Sequence, residues 1–132
     1  MDADASINAE SITYVAAELA RKYHTTILAS GRIDIVTDGT RIVHVKNGTP
    51  QLSAVTGTGC LLGALCGAYL AVCADMNAAV TACVVLGICG QLAETPKGSG
   101  SFMVNLMDAL STLTAAQLEQ YVKSEERQYE KL

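Results

Sequence analysis

The segment Val55-Thr56-Gly57-Thr58-Gly59-Cys60 has the letters of an anion site. It closes a predicted short strand over 52–56 and opens a predicted helix over 58–73. Glycine lets a backbone approach a ligand closely. The unpaired N–H groups of a first helical turn point at that ligand, and the helix dipole favours negative charge there. Phosphate is the common occupant. Tight packing of a strand against a helix uses the same letters, and spacing alone leaves both readings open. Two phosphate motifs are excluded. No G-K-[ST] follows, as a Walker A loop requires, and Leu62 rather than Gly stands three residues after Gly59.

Cys60 falls in the first turn of that helix, where a thiol meets the positive end of the dipole and can do proton chemistry. The competing reading is a small buried hydrophobe. That second reading suits Cys66, Cys73, Cys83 and Cys89, which lie in apolar helical runs. There is no C-x-x-C pair and no Cys/His cluster at zinc spacing. Reduced thiols in a cytoplasmic protein are expected. His44 alternates on a predicted strand and is expected at the surface. His24 follows a helix end, where it complements the dipole.

The elements that must position these residues read as follows. Residues 8–23 form an amphipathic helix, capped by Ser6 or Asn8, with Ile12, Val15, Ala16, Leu19 and Tyr23 facing the core. Strands follow over 25–29, 33–37 and 41–46, the last two joined by a two-residue Asp38-Gly39 hairpin turn. Helices are predicted over 58–73, 77–93 and 101–112, with a Pro/Gly loop at 95–100. A final helix opens on the capping box Thr114-Ala115-Ala116-Gln117 and runs to about Lys131. Gly59, Gly63 and Gly67 share one helix face. Glycine costs about 1 kcal/mol against Ala in a helix, so another backbone is expected to pack close to them.

Composition narrows the function classes. The chain has 132 residues, enough for one domain with a sizeable core, and is 50% hydrophobic, which argues against disorder. Its formal charge of -4 disfavours nucleic acid as a partner. Asp75 is the only charged residue between Lys46 and Glu94. The apolar runs 61–74 and 78–90 are each shorter than the roughly 18 residues of a spanning helix. Buried helices are expected, and no membrane. Met1-Asp2-Ala3-Asp4 lacks the basic and apolar regions of a signal peptide.

Several segments together resemble one family. Ala29-Ser30-Gly31-Arg32-Ile33-Asp34-Ile35-Val36-Thr37-Asp38-Gly39 is similar to the hairpin segment of hydroxyethylthiazole kinases, and Val55 to Leu62 to their glycine-rich signature. Leu86-Gly87-Ile88-Cys89-Gly90, Gly98-Ser99-Gly100-Ser101-Phe102 and Leu106-Met107-Asp108-Ala109-Leu110 match the family's last helices in order. The resemblance covers nearly the whole chain. Cys at position 60 selects the subfamily, because other ribokinase-like kinases and the related NAD(P)HX dehydratases usually carry Asp there.

The resemblance implies a ribokinase-like α/β fold, here a small β-hairpin and sheet region followed by a helical layer. It implies transfer of the ATP γ-phosphate, with Mg²⁺, to the primary alcohol of 4-methyl-5-(2-hydroxyethyl)thiazole in thiamine biosynthesis and salvage. It places Gly57 on the thiazole alcohol and Ser30 on ATP. Gly57, Thr58 and Gly59 become the anion hole for the transferring phosphoryl group, and Cys60 the group that accepts or steers the alcohol proton. Gly98-Ser99-Gly100-Ser101 departs mildly from the family's G-P-G-[ST] in a nucleotide-side loop. Family enzymes are roughly twice this long and assemble as homotrimers with thiazole sites between subunits. Residues 1–132 therefore read as the C-terminal half of the domain. The N-terminal half would hold most of the central sheet, an ATP-contacting Arg and the acidic residues on the Mg²⁺ side. A truncated or split nucleotide-binding or assembly module is the alternative.

Overall fold

The computed structural model describes residues 2–130. Helix α1 (Asp2–Tyr23) leads into three strands, β1 (Ile27–Ala29), β2 (Asp34–Thr37) and β3 (Arg41–Val45). Five helices follow: α2 (Pro50–Ser53), α3 (Thr58–Leu70), α4 (Met76–Ala93), α5 (Ser99–Thr112) and α6 (Ala115–Tyr121). A last strand, β4 (Ser124–Gln128), returns to the sheet. The sheet is antiparallel in the order β1-β2-β3-β4, with Leu28 opposite Val36, Val36 opposite Val43 and Val43 opposite Glu126.

Strand alternation sorts the sheet into two faces. Val36, Val43 and Val45 join the core built on α4, which includes Cys83, Val84, Ile88, Cys89, Phe102 and Leu106. On the other face, α1 packs against β1 and β2, and Thr13 reaches His44 of β3. The sheet is thus a layer between α1 and the remaining helices. Helix α4 is the central element of the larger core, packed against α3, α5, α6, β2 and β3. By length and apolarity alone it could cross a membrane, but 67% of it is buried in protein, as expected of a core helix.

The structure corrects several expectations. Helix α1 begins at Asp2, so Ser6 and Asn8 lie inside it rather than capping it. Its buried face is Thr13, Ala16, Ala17 and Ala20, whereas Ile12, Val15, Leu19 and Tyr23 are exposed. The small residues let the helix lie close on the sheet, and they leave the large ones outside. Thr37 pairs with Ile42, so four residues rather than two make the β2–β3 turn. The Asp38 carboxylate fixes that turn by accepting the N–H groups of Thr40 and Arg41, each at 2.8 Å.

Leu52 and Ser53 of the predicted 52–56 strand belong instead to helix α2. Thr49 caps α2 and Pro50 starts it, a helix-opening pair that the apolar letters after it conceal. The Thr114–Gln117 capping box forms as read, but α6 ends at Tyr121 and Ser124–Gln128 becomes an edge strand. That strand is fully exposed and charged. Glu125 pairs with Lys46, Glu126 with Arg41 and Arg127 with Glu10. Such an edge discourages pairing with a further strand. Nothing lies within 4 Å of a side chain that would be added at Gly59, Gly63 or Gly67, so no backbone packs on that face of α3 among the described residues.

His24 is the left-handed residue that ends α1, with φ 51°, and Thr25 N–H closes the motif on the Ala20 carbonyl at 3.1 Å. His44 is half-buried rather than a free surface side chain. Thr13 Oγ1 donates to the Ala9 carbonyl at 2.6 Å, so it accepts from His44 Nε2, 2.9 Å away.

Candidate anion site at the start of α3

Gly57 is the N-cap of α3, with φ 101° and ψ -8°. That left-handed conformation is strained for residues with a Cβ. No side chain caps the helix, and the first intrahelical bond runs from Leu61 N–H to the Gly57 carbonyl at 2.9 Å. The N–H groups of Thr58, Gly59 and Cys60 precede that bond, and each has no partner among the described residues. They form the donor set that an anion needs. Gly59 and Cys60 are exposed, and beyond the adjoining chain no described atom lies within 4 Å of the positions a Cβ would take at Gly57 and Gly59. Thr58 contributes its backbone only, because its hydroxyl donates to the Leu52 carbonyl at 2.9 Å.

The path into this turn is held by side chains set far apart in sequence. Asn47 is buried, and its amide donates to Gln91 Oε1 and to the Tyr121 carbonyl, both at 2.8 Å. Its Oδ1 accepts Lys123 N–H at 2.7 Å. Asn47 fits because α4 carries Gly87 there: an added Cβ would lie 2.6 Å from the Asn47 Cβ. One turn on, Leu52 occupies the space left by Gly90, where an added Cβ would lie 2.6 Å from its Cδ1. The Gln51 amide then clasps the Thr95 backbone, donating to its carbonyl at 2.8 Å and accepting its N–H at 3.1 Å. The glycine turn is therefore tied to α4 and to the α4–α5 loop before it begins.

That loop borders a surface cavity of about 300 Å³ lined by Thr95, Lys97, Gly100, Ser101, Val104 and Asn105. Gly98 caps α5 with φ 129°, so the helix starts at Ser99, two residues earlier than expected. Ser30 lies elsewhere, exposed on the β1–β2 loop, with no hydrogen bond to residues 57–60 among the described residues. Its neighbour Asp34 reaches inward. Burial raises the Asp34 carboxyl and the Cys83 thiol of α4 above their ordinary values. Burial also raises the Cys66 thiol. The five cysteines are free thiols, and Cys60 is one of the two exposed ones.

The sequence reading overlooked Asn47 and Gln51. Each acts on a residue 44 positions away, and neither belongs to a recognisable motif. The paired glycines of Leu86-Gly87-Ile88-Cys89-Gly90 were the available signal, since glycine in a helix interior asks what comes close.

The model of the hydroxyethylthiazole kinase family matches residues 2–116. The chain is 44% identical over 111 residues to the hydroxyethylthiazole kinase of Methanocorpusculum labreanum, covering 83% of this chain and 41% of that protein. It is 42% identical over 121 residues to that of Thermoanaerobacter pseudethanolicus, covering 89% and 46%. The solved structure of the hydroxyethylthiazole kinase protein from Pyrococcus horikoshii superposes with a TM-score of 0.85 at 36% identity, over 91% of this chain and 48% of that one. The chain thus spans less than half the length of these relatives.

Proposed function

Because the chain belongs to the hydroxyethylthiazole kinase family, we propose that it carries the phosphoryl-transfer end of an ATP-dependent kinase acting on 4-methyl-5-(2-hydroxyethyl)thiazole. The observation that carries this reading is the uncapped N-terminus of α3, with Gly57 left-handed and the N–H groups of Thr58, Gly59 and Cys60 unpaired. The alcohol oxygen forms a bond to the γ-phosphorus, the bond to the β–γ bridging oxygen breaks, and ADP leaves. The three N–H groups receive the charge on the transferring group, and Gly57 lets the alcohol approach. The hydroxyl proton passes to or past the Cys60 sulfur, and Ser30 contacts ATP. The transition state is loose, so positioning and charge stabilisation dominate and a weak base suffices.

Mg²⁺ accompanies ATP in this reading and would neutralise phosphate charge. Among the described residues no three His, Cys, Asp or Glu side chains converge on a metal position. The described residues by themselves do not offer a metal cage.

Residues 1–132 act in this reading as the C-terminal part of a larger domain, within a cytoplasmic homotrimer. Three surfaces support this: the bare glycine face of α3, the exposed Ile12, Val15, Leu19 and Tyr23 of α1, and strand β1, which pairs on one side only. The test measures ATP-dependent phosphorylation of the thiazole alcohol by the 132-residue chain, alone and mixed with the N-terminal half of a family relative. Little turnover alone and clear turnover by the pair is the expected result. Robust turnover by the chain alone would refute the need for a second half, and no product from a pair shown to associate would refute the kinase assignment. Size-exclusion chromatography of the active species tests the trimer.

A further inference from the structure

The segment that delivers the chain into the glycine turn has few anchors of its own. Helix α2 has four residues, and none of them is buried. Thr49 Oγ1 accepts Gln51 N–H at 3.4 Å, Ser53 Oγ donates to the Pro50 carbonyl at 2.8 Å, and Thr58 Oγ1 donates to the Leu52 carbonyl at 2.9 Å. All of these bonds are local. Among the described residues, the Gln51 amide makes the only hydrogen bonds that tie residues 49–57 to a part of the chain beyond α3. It accepts Thr95 N–H at 3.1 Å and donates to the Thr95 carbonyl at 2.8 Å. Leu52 and Val55 add apolar contact with the core.

Apolar contact resists separation but sets no direction. Two hydrogen bonds from one planar amide fix both distance and angle. Thr95 directly follows the C-cap of α4. One residue after Gln51, Leu52 presents its carbonyl to the Thr58 hydroxyl, and Thr58 opens α3 with one of the three unpaired N–H groups. A line of hydrogen bonds therefore runs from the end of α4, through Gln51 and the Leu52 carbonyl, to the first turn of α3. A Gln that only closed the end of α4 could come from any element beside it. This one comes from the turn immediately before the anion donors.

We infer that Gln51 is a positioning residue for phosphoryl transfer: it fixes α2 to Thr95 and, through the Leu52 carbonyl and the Thr58 hydroxyl, sets the direction of the N–H groups that open α3. The inference rests on the proposed kinase function, in which those groups receive the charge of the transferring phosphoryl. Gln51 acts through other residues and touches no reacting atom. Donors that point slightly away stabilise the developing charge less. The loss therefore falls on the rate of transfer and not on the binding of either substrate.

The test uses the kinase-competent pair, with Gln51→Met, Gln51→Glu, Thr58→Val and a double variant carrying Gln51→Met and Thr58→Val in this chain. Gln51→Met keeps the length of the side chain and loses both hydrogen bonds. Single-turnover phosphorylation at saturating ATP and alcohol is expected to fall about tenfold, with both KM values within about twofold of wild type. Gln51→Glu keeps an acceptor for Thr95 N–H and loses the donor, so a fall of about threefold is expected. Because Gln51 acts through Thr58, adding Gln51→Met to Thr58→Val is expected to slow transfer by less than about twofold further. An unchanged rate in Gln51→Met overturns the inference, as does a KM rise as large as the rate loss. Fully multiplicative effects of the two substitutions, as two unconnected sites would give, overturn it as well. If Gln51→Met does not fold, Gln51→Glu decides: slower transfer at unchanged KM values supports the inference, and any other result overturns it. A wild-type pair without turnover would refute the kinase reading and this inference together, whereas active wild type with unaffected variants refutes the role of Gln51 alone.

Discussion

Gly87→Ala and Gly63→Ala are the same substitution in two packed helices, and they are expected to change stability in opposite directions. At Gly87 the added Cβ would lie 2.6 Å from the Asn47 Cβ and 2.7 Å from both its carbonyl carbon and oxygen. Two of these three atoms are backbone, so no side-chain rotation relieves the overlap. The main chain at Asn47 must move, and it is held by three hydrogen bonds from its own side chain. Overpacking of this kind costs about 1–3 kcal/mol. Ala returns about 1 kcal/mol of helix propensity. With a rigid neighbour the overlap outweighs the propensity, and a net loss of about 1–2 kcal/mol is expected. At Gly63 no heavy atom lies within 4 Å of the added Cβ, so only the propensity gain remains. That variant should be more stable by about 0.4–1 kcal/mol. Urea unfolding of the 132-residue chain, followed by far-UV circular dichroism, separates the two, provided the m-value stays constant. A Gly87→Ala chain as stable as wild type would refute the close seating of Asn47 on α4. A destabilised Gly63→Ala would refute the open face of α3.

Further expectations concern the site and the sheet. In the paired kinase, Cys60→Ala should lower the phosphorylation rate with ATP affinity nearly intact, and Cys60→Asp should retain activity; an unchanged rate in Cys60→Ala removes the thiol from the chemistry. His44 is held below its ordinary value of 6.5, chiefly by burial and then by Arg127, with Glu10 and Glu125 opposing and Lys46 adding to the shift. The folded state therefore binds this proton less readily than the unfolded chain. Stability is full above the unfolded value and falls as pH drops from about 6.5 through the folded value. Wild type should lose more thermal stability than His44→Gln between pH 7.5 and pH 5.5, since a Gln amide can donate to Thr13 at any pH. Parallel losses would show that the His44–Thr13 contact does not titrate.

The glycine turn was legible because its requirements are local. A glycine-rich helix start, unpaired first-turn N–H groups and a thiol in the same turn follow from six neighbouring residues, and the structure adds that Gly57 is left-handed. The same holds for the Thr114 capping box, the β-branched strands and the apolar α4. Strand β4 was not legible. Ser-Glu-Glu-Arg-Gln has no strand-like pattern, and it pairs only because β3 presents an open edge and Arg41 and Lys46 supply opposite charge. The face of α1 was misread for a related reason. Periodicity finds the large apolar side chains, whereas close approach to a sheet selects the small ones.

The sequence by itself determined the chemistry on offer: a glycine-rich helix start, a cysteine beside it and a family pattern spread in order along the chain. Those depend on residue type and short spacing, which a linear chain records directly. Only the tertiary structure decided how that turn is held. Asn47 against Gly87, Leu52 against Gly90 and Gln51 on Thr95 join residues 38 to 44 positions apart. Steric fit and hydrogen bonding act through space, so no local pattern announces them until the helices and the sheet have come together.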